Sequence, residues 1–204
     1  MVIGSGSAEM VPDAVQFSFT VSVLDAQNAA ALEKVAATMA PLRAVLQDAG
    51  VEDADIRTEN VSSGVEYSYS GTAQSLNGYR ASQTTTVLVR DTELAGKLLG
   101  ELSRVGGNEL QIGSTQPVAS DTSIAADEAR RSAVKDAREK AELYADELGF
   151  VLGEVLQVVE SSPSVSPVMF DQRMASSLEA GQSPSIDPGS QKVLVSIEVR
   201  WSLR

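Results

Sequence analysis

The sequence predicts a fold of β-strands that pack against two long helices and one short helix. Two observations support this prediction. Residues 121–149 show the longest helical pattern in the chain, without an internal Gly or Pro. Several segments on either side of them alternate apolar and polar residues with a period of two, which is typical of strands with one buried face.

The long predicted helix carries a ridge of alanines at every fourth position: Ala125, Ala129, Ala133, Ala137, Ala141 and Ala145. Methyl side chains allow a helix to lie close to the surface that it covers, so we expect this ridge to pack against the sheet. A helix seam between two copies of the chain is the alternative. The bulkier residues that flank the ridge are Ile124, Val134, Tyr144 and Leu148.

The same helix carries acid-first pairs at i,i+4 spacing, Asp127–Arg131 and Asp136–Lys140. Such pairs predict a solvent-exposed helix face with ion pairs between neighbouring turns, and they do not indicate a general acid and base. Gly149 follows the pattern and predicts a left-handed cap at the C-terminus of the helix.

The first part of the chain predicts a short strand at residues 1–8, a strongly alternating strand at residues 15–23, and a helix that ends at Gly50. Asp25 is a candidate cap for this helix. Its expected apolar face comprises Leu32, Val35, Ala36, Met39, Leu42, Val45 or Leu46, and Ala49. Pro41 lies inside the pattern and predicts a kink, with a true break as the alternative.

The middle of the chain predicts a polar turn at 52–60 that leads into an extended stretch, followed by a hairpin loop at 68–78, because that segment is rich in Ser and Gly. A strand at 79–90, a short helix at 92–104 and a strand at 109–116 follow. Strand, helix, glycine and strand therefore occur twice in the same order, which suggests a duplicated unit without proving one.

The C-terminal part predicts strands at 154–160 and 193–203. Between them, residues 161–191 contain four prolines and many serines without a sustained period, which predicts a flexible insert. Three apolar residues stand out in this polar segment. They are expected to pack on the core or to contact another subunit or partner, and exposure in a mobile segment is the remaining alternative. They are Met169, Phe170 and Met174.

Composition excludes several classes of function. The formal charge of −12 argues against nucleic acids and anionic membrane surfaces, which require a cationic face. The chain has no Cys, which excludes thiol chemistry, and no His, which removes the usual general base and the commonest metal ligand. We therefore predict a non-enzymatic protein without catalytic residues, metal ligands or cofactor.

The run Asp53–Ala54–Asp55 with Glu59 resembles a calcium loop, but Arg57 stands where the next oxygen ligand belongs and the required Gly is missing. Asp53, Asp55 and Glu59 are also the only carboxylates that suggest a hydrolase, and the sequence gives no second indication of paired acids. The opening segment already has the pattern of a strand, so no signal peptide is predicted within the chain.

Four motifs in order resemble the SIMPL-domain family, which includes the bacterial periplasmic immunogenic proteins. The opening G-x-G-x-A-E-x-x-P-D spans residues 4–13, and G-Y-R-A-S spans residues 78–82. D-A-R-x-K-A begins at Asp136 and is followed by L-G and L-G-E-V at 148–149 and 152–155. A Pro- and Met-containing insert precedes a terminal V-x-V-x-I-x-V-x-W strand, so the resemblance covers nearly the whole chain.

The resemblance implies an α+β fold in which antiparallel strands are covered by helices, including a long kinked one, in a single domain over residues 1–204. Export across the inner membrane, with removal of a signal or lipid-anchor segment that precedes residue 1, is implied as well. The resemblance also implies homo-oligomers in some members and a link to oxidative-stress protection in others. The family offers no catalytic residues to transfer. We therefore expect an exported cell-envelope protein that acts through self-assembly or through an envelope protein partner. The alternative is a small-molecule or lipid carrier with an apolar pocket between the sheet and the long helix.

Overall fold

The computed structural model describes residues 1–70, 73–167 and 186–204, and these residues form two compact units. The first unit contains residues 1–12, 119–167 and 188–204, and the second contains residues 13–118 and 186–187. Each unit has its own sheet and its own helical cover. The predicted α+β fold is confirmed, whereas the prediction of one domain over residues 1–204 stays a prediction.

The described residues form strands and α-helices that follow one another along the chain as given below. The strands are β1 (Val2–Met10), β2 (Ala14–Asp25), β3 (Ile56–Ser70), β4 (Ala73–Val89), β5 (Leu110–Val118), β6 (Leu152–Glu160), β7 (Ser164–Pro167) and β8 (Gln191–Leu203). The α-helices are α1 (Asn28–Asp48), α2 (Thr92–Gly106) and α3 (Ser123–Glu147).

The second unit is a four-stranded antiparallel sheet in the order β3-β4-β2-β5. The chain runs β2-α1-β3-β4-α2-β5, which is the split β-α-β arrangement of ferredoxin-like folds. The repeated order of strand, helix and strand predicted from the sequence is therefore confirmed as topology. Helices α1 and α2 cover the face of the sheet that carries Phe17, Phe19 and Val87.

Helix α1 is continuous through Pro41, so the alternative of a break is wrong. Pro41 and Ala37 lie on the exposed side of the helix, where water can bind the carbonyl that proline leaves without an intrahelical donor. The predicted apolar face is only partly right, because Leu32 and Ala36 are exposed. Asp25 accepts the backbone N–H of Gln27 and so closes the preceding turn instead of capping the helix. The buried residues of α1 are Ala31, Val35, Leu42 and Leu46.

Two predicted loops of the second unit are shorter than expected. The predicted turn at 52–60 ends with a single 3₁₀ turn, Asp53–Asp55, and β3 begins at Ile56. The hairpin loop predicted at 68–78 is wrong over most of its length, since β3 extends to Ser70 and β4 begins at Ala73. Cross-strand pairing overrides the loop-like composition of this segment.

The first unit is a sheet in the order β1-β8-β6, with the short strand β7 also paired to β8. Residues 164–167 thus form a strand where a flexible insert was predicted, and residues 168–185 lie outside the described residues. Helix α3 packs mainly on β1 and β8. All six alanines of its ridge are buried, as predicted, and Gly149 adopts a left-handed φ of 76° after the helix.

Two glycines of β1 face the alanine ridge at very short range. A Cβ atom built on Gly4 would lie 2.2 Å from the backbone oxygen of Ala133, and one built on Gly6 would lie 2.0 Å from that of Ala129. Real side chains do not tolerate such distances, so a residue with a Cβ at either position would push strand and helix apart. The opening G-x-G is therefore explained by packing.

Polar contacts fix the same helix beside β1. Asp136 accepts the backbone N–H of Ser5 at 2.8 Å and pairs with Lys140 at 2.7 Å, while Lys140 Nζ also donates to the carbonyl oxygen of Ile3. The predicted Asp136–Lys140 pair is confirmed. Asp127 differs from the prediction, because it pairs with Arg130 at i,i+3 spacing.

We predict that Gly6→Ala destabilises the first unit by about 2–3 kcal/mol, as is typical of overpacking against a backbone that has no room to move. Urea unfolding followed by the fluorescence of Trp201, which lies in this unit and is the only tryptophan of the chain, measures the change. Ser5→Ala is the matched control, because Ser5 is exposed on the same strand and the variant keeps its backbone N–H. Equal midpoints for both variants would contradict the packing argument.

We predict a pH-dependent cost for Asp136→Asn. The hydrogen bond from Lys140, with that from the backbone of Ser5, lowers the pKa of Asp136 in the folded state. The ionised carboxylate therefore stabilises the folded state above its unfolded pKa of about 3.9, and this contribution is lost as pH falls through the lower folded pKa. The urea midpoints of the two proteins should differ at pH 7, and the difference should shrink as pH falls below about 3.9.

Glu139→Gln is the control for this experiment, because Glu139 is exposed and its nearest basic partner, Lys135, is 3.7 Å away. It should show a much smaller difference from the parent at pH 7. A constant gap between Asp136→Asn and the parent from pH 7 to pH 3 would argue against the linkage.

Candidate functional site

The three carboxylates that suggested metal binding or hydrolysis do not form a shared site. Asp53 pairs with Arg43 at 2.8 Å, and Glu59 pairs with Arg57 at 2.9 Å. Hydrogen bonds from these arginines lower the pKa of both carboxyl groups. A general acid needs a raised pKa, so Asp53 and Glu59 are poorly suited to that role.

Asp55 makes a two-pronged ion pair with Arg90, with N–O distances of 3.0 and 3.1 Å. Asp55 and Arg90 both line a cavity of about 190 Å³ next to the residues that follow α1. Among residues 1–70, 73–167 and 186–204, no three Asp or Glu side chains come together in a way that would hold a metal ion. The arrangement of these carboxylates is that of separate surface ion pairs. Met169, Phe170 and Met174, the predicted contact residues, lie outside the described residues.

A projecting hairpin is the first candidate site that the structure provides. Strand β2 ends at Asp25, which pairs with Tyr79, and beyond this point β4 pairs only with β3. We call residues 66–70 and 73–78 the arm. Gly78 lies at its base with a φ of 141°, where an extra residue on β4 forms a β-bulge. Such a bulge bends a strand, and only glycine adopts this backbone angle without strain.

One face of the arm and of adjoining β3 is apolar and exposed. Its residues alternate along β3 and are joined by one residue of β4: Val61, Val65, Tyr67, Tyr69 and Leu76. Tyr69 is the most exposed of them, with 72% of its surface accessible. Tyrosine supplies a large apolar area together with a polar hydroxyl, and it is enriched at protein interfaces.

The opposite face of the arm is polar and internally paired. Glu66 forms an ion pair with Arg80 and accepts from Asn77 at 3.2 Å, and the hydroxyls of Ser68 and Ser75 are 2.8 Å apart. The hydrogen bond from Arg80 lowers the pKa of Glu66, which therefore stays ionised. These cross-strand pairs hold the two-stranded arm together, while its apolar face remains free of them.

Strand β3 is also the edge of its sheet. Its outer side pairs with no other strand within the described ranges, so a row of backbone N–H and C=O groups faces outward. In the first unit, β6 is a second edge strand, and apolar residues on both of its faces are about half exposed. They are Val155, Leu156, Val158 and Val159.

The first unit contains an apolar cavity of about 270 Å³ at the C-terminal end of α3. We call it the α3 pocket. Helix α3, the start of β6, the end of β8 and the start of the chain form its walls. Its lining residues are Met1, Val2, Ala141, Tyr144, Ala145, Leu148, Leu152, Trp201 and Leu203. Sequence reasoning identified the alanines and Tyr144 as one helix face, but the lining residues of β6 and β8 are distant in sequence and carried no separate signal.

None of the helices in the described part of the chain combines the length and apolar content needed to cross a membrane. The family model of SIMPL, described as a protein of unknown function (DUF541), matches residues 1–201. The chain is similar to the 26 kDa periplasmic immunogenic protein of Brucella melitensis biotype 1, with 30% identity that covers 100% of the chain and 84% of the relative.

Two further relatives are uncharacterized YggE proteins. That of Edwardsiella ictaluri is 27% identical over 94% of the chain and 80% of its own length. That of Escherichia coli strain K12 is 27% identical over 90% of the chain and 76% of its own length.

Proposed function

The chain belongs to the SIMPL family, and from this premise we propose that it is an exported cell-envelope protein that acts without catalysis, by associating with copies of itself or with an envelope protein. The observation that carries the proposal is the arm, a projecting hairpin with an exposed apolar face beside an unpaired strand edge. Export is supported by a relative named as periplasmic.

The arm offers two kinds of contact at once. The outward backbone groups of β3 are suited to accept a further β-strand, which gives main-chain hydrogen bonds. Val65, Tyr67 and Tyr69 lie at alternate positions of β3 and therefore on one face of it. They can contact the alternate side chains of an added strand that lie on the same face. Exposed edges are usually shielded by charge or proline, and β3 has no proline and no charged residue on its apolar face.

A link to oxidative or envelope stress, which the family resemblance implies, belongs to the proposal. The chain has neither Cys nor His, so protection would act through association and not through thiol redox chemistry of this chain. The proposal also includes attachment of the protein to a membrane by a lipid anchor, which the family resemblance implies.

We predict that replacing Val65, Tyr67 and Tyr69 by Thr lowers the assembly state. Thr keeps the β-propensity of the strand while removing the apolar area. Light scattering should give a multiple of 21.5 kDa for the parent chain and a mass closer to 21.5 kDa for the variant. The matched control replaces Ser62 and Ser68 by Thr, since these residues lie on the opposite face of β3 and keep their hydroxyls.

Association with a different envelope protein is tested by a photo-crosslinking residue at position 69, with position 62 as the control on the other face. Defined crosslinks in cells should appear only from position 69. A parent chain that is monomeric at all concentrations, together with equal crosslinking from both positions, would refute the proposed function.

The predicted contacts at Met169, Phe170 and Met174 give a separate test. If they join subunits, replacing all three by Ser should lower the mass measured by light scattering, as loss of apolar contact area weakens association. An unchanged mass in a chain whose arm variant dissociates would assign assembly to the arm and exclude these three residues.

A further inference from the structure

We propose that the α3 pocket binds the alkyl chain of a single-chain amphiphile. The pocket lies in the first unit, whereas the arm lies in the second, so this inference is independent of the proposed function. The polar head of the ligand stays in solvent at the mouth, and the ligand class is defined by its unbranched hydrocarbon tail.

The lining chemistry selects an apolar ligand. None of the nine lining residues has a charged side chain, and only Tyr144 and Trp201 carry a side-chain hydrogen-bond donor. Ligand pockets are typically lined by apolar and aromatic side chains with few polar groups. A charged head group would find no charged side chain among these residues, and we place the head group outside the pocket.

The pocket arises where the contact between helix and strand ends. Along Ala129 and Ala133, the small side chains are required because the glycines of β1 bring the strand against the helix. Ala141 and Ala145 continue the ridge at the pocket, and both are nearly inaccessible from outside the protein. A leucine at either position would need more room than alanine and would extend toward the cavity, which both positions line.

The walls of the pocket are fixed by secondary structure. Gly149 ends α3, and the N–H of Phe150 bonds to the carbonyl oxygen of Ala145 at 2.9 Å. Val151 and Arg204 exchange two backbone hydrogen bonds of 2.7 and 2.9 Å, which join the approach to β6 to the end of β8. The backbone of these walls is consequently held in place before a ligand binds, which lowers the entropy cost of binding.

The volume gives the length of tail that the pocket can enclose, and any further carbons would extend into solvent through its open side. At about 30 Å³ for each group the size of a water molecule, 270 Å³ holds roughly nine non-hydrogen atoms. A chain of about eight to ten carbons fits this space, and larger double-chain lipids would leave most of their tails outside.

The intrinsic fluorescence of Trp201 reports directly on the pocket, since it lines the cavity and is the only tryptophan. The full chain is titrated with n-decyl maltoside below its micelle concentration. We expect a saturable blue shift of the emission, and calorimetry should show the negative heat-capacity change of apolar burial. Maltose, which has the same head and no tail, should leave the emission unchanged.

Ala141→Leu and Ala145→Leu fill the cavity and should each weaken binding about tenfold or more, because they remove the space for three or four ligand carbons. Val134→Leu is the control, because it adds bulk to an exposed position of α3 that does not line the pocket. Circular dichroism establishes that each variant is folded. If one of these two variants does not fold, the affinity of the other for decyl maltoside is the test.

The proposal is overturned if decyl maltoside leaves the Trp201 emission unchanged, or if a folded Ala145→Leu protein binds as tightly as the parent. Chains with the substituted arm should bind the probe normally. The outcome for the pocket is therefore separate from the outcome for association through the arm.

Discussion

The first unit depends on the direct approach of one helix to one strand. Gly4 and Gly6 present only hydrogen atoms to α3, and the alanines of the helix leave its backbone close to both glycines. At this distance neither element can accept another side chain without being displaced, so the contact fixes both the register and the spacing of the two elements. The hydrogen bond from the backbone N–H of Ser5 to Asp136 adds a directional interaction to this contact, where dispersion forces between closely packed atoms also contribute.

The second unit is packed by the opposite means. Large side chains such as Phe17, Phe19 and Leu42 fill the space between its sheet and helices. Helices α1 and α2 contact β2, β4 and β5 more than β3, and the 15-residue strand β3 runs past the end of β2. An edge strand that extends beyond its helical cover has no core to bury its apolar face. The arm thus follows from strand length and helix placement.

The sequence predicts those parts of this fold that depend on local periodicity. The alanine ridge, the position of α2 and the alternation in β2 and β8 are all visible as patterns, and the structure confirms them. The arm was missed because Ser, Gly and Asn are frequent in residues 68–78, whereas pairing between strands determines the conformation of residues 68–70 and 73–78. From the sequence, a pocket between the sheet and the long helix was only an alternative, and its lining could not be predicted. Leu152 and Trp201 lie beside Ala145 through tertiary packing alone.

Charge explains why association would use the arm in particular. Two copies with a formal charge of −12 repel each other, and salt screens that repulsion only beyond a Debye length of about 8 Å at physiological ionic strength. Contact surfaces within that distance must therefore be nearly neutral or complementary in charge. The only charge within the described arm is Glu66, and Arg80 neutralises it on the polar face. The apolar face of the arm thus combines exposed aromatic area with local neutrality, so burying it against a second acidic surface desolvates no unpaired charge.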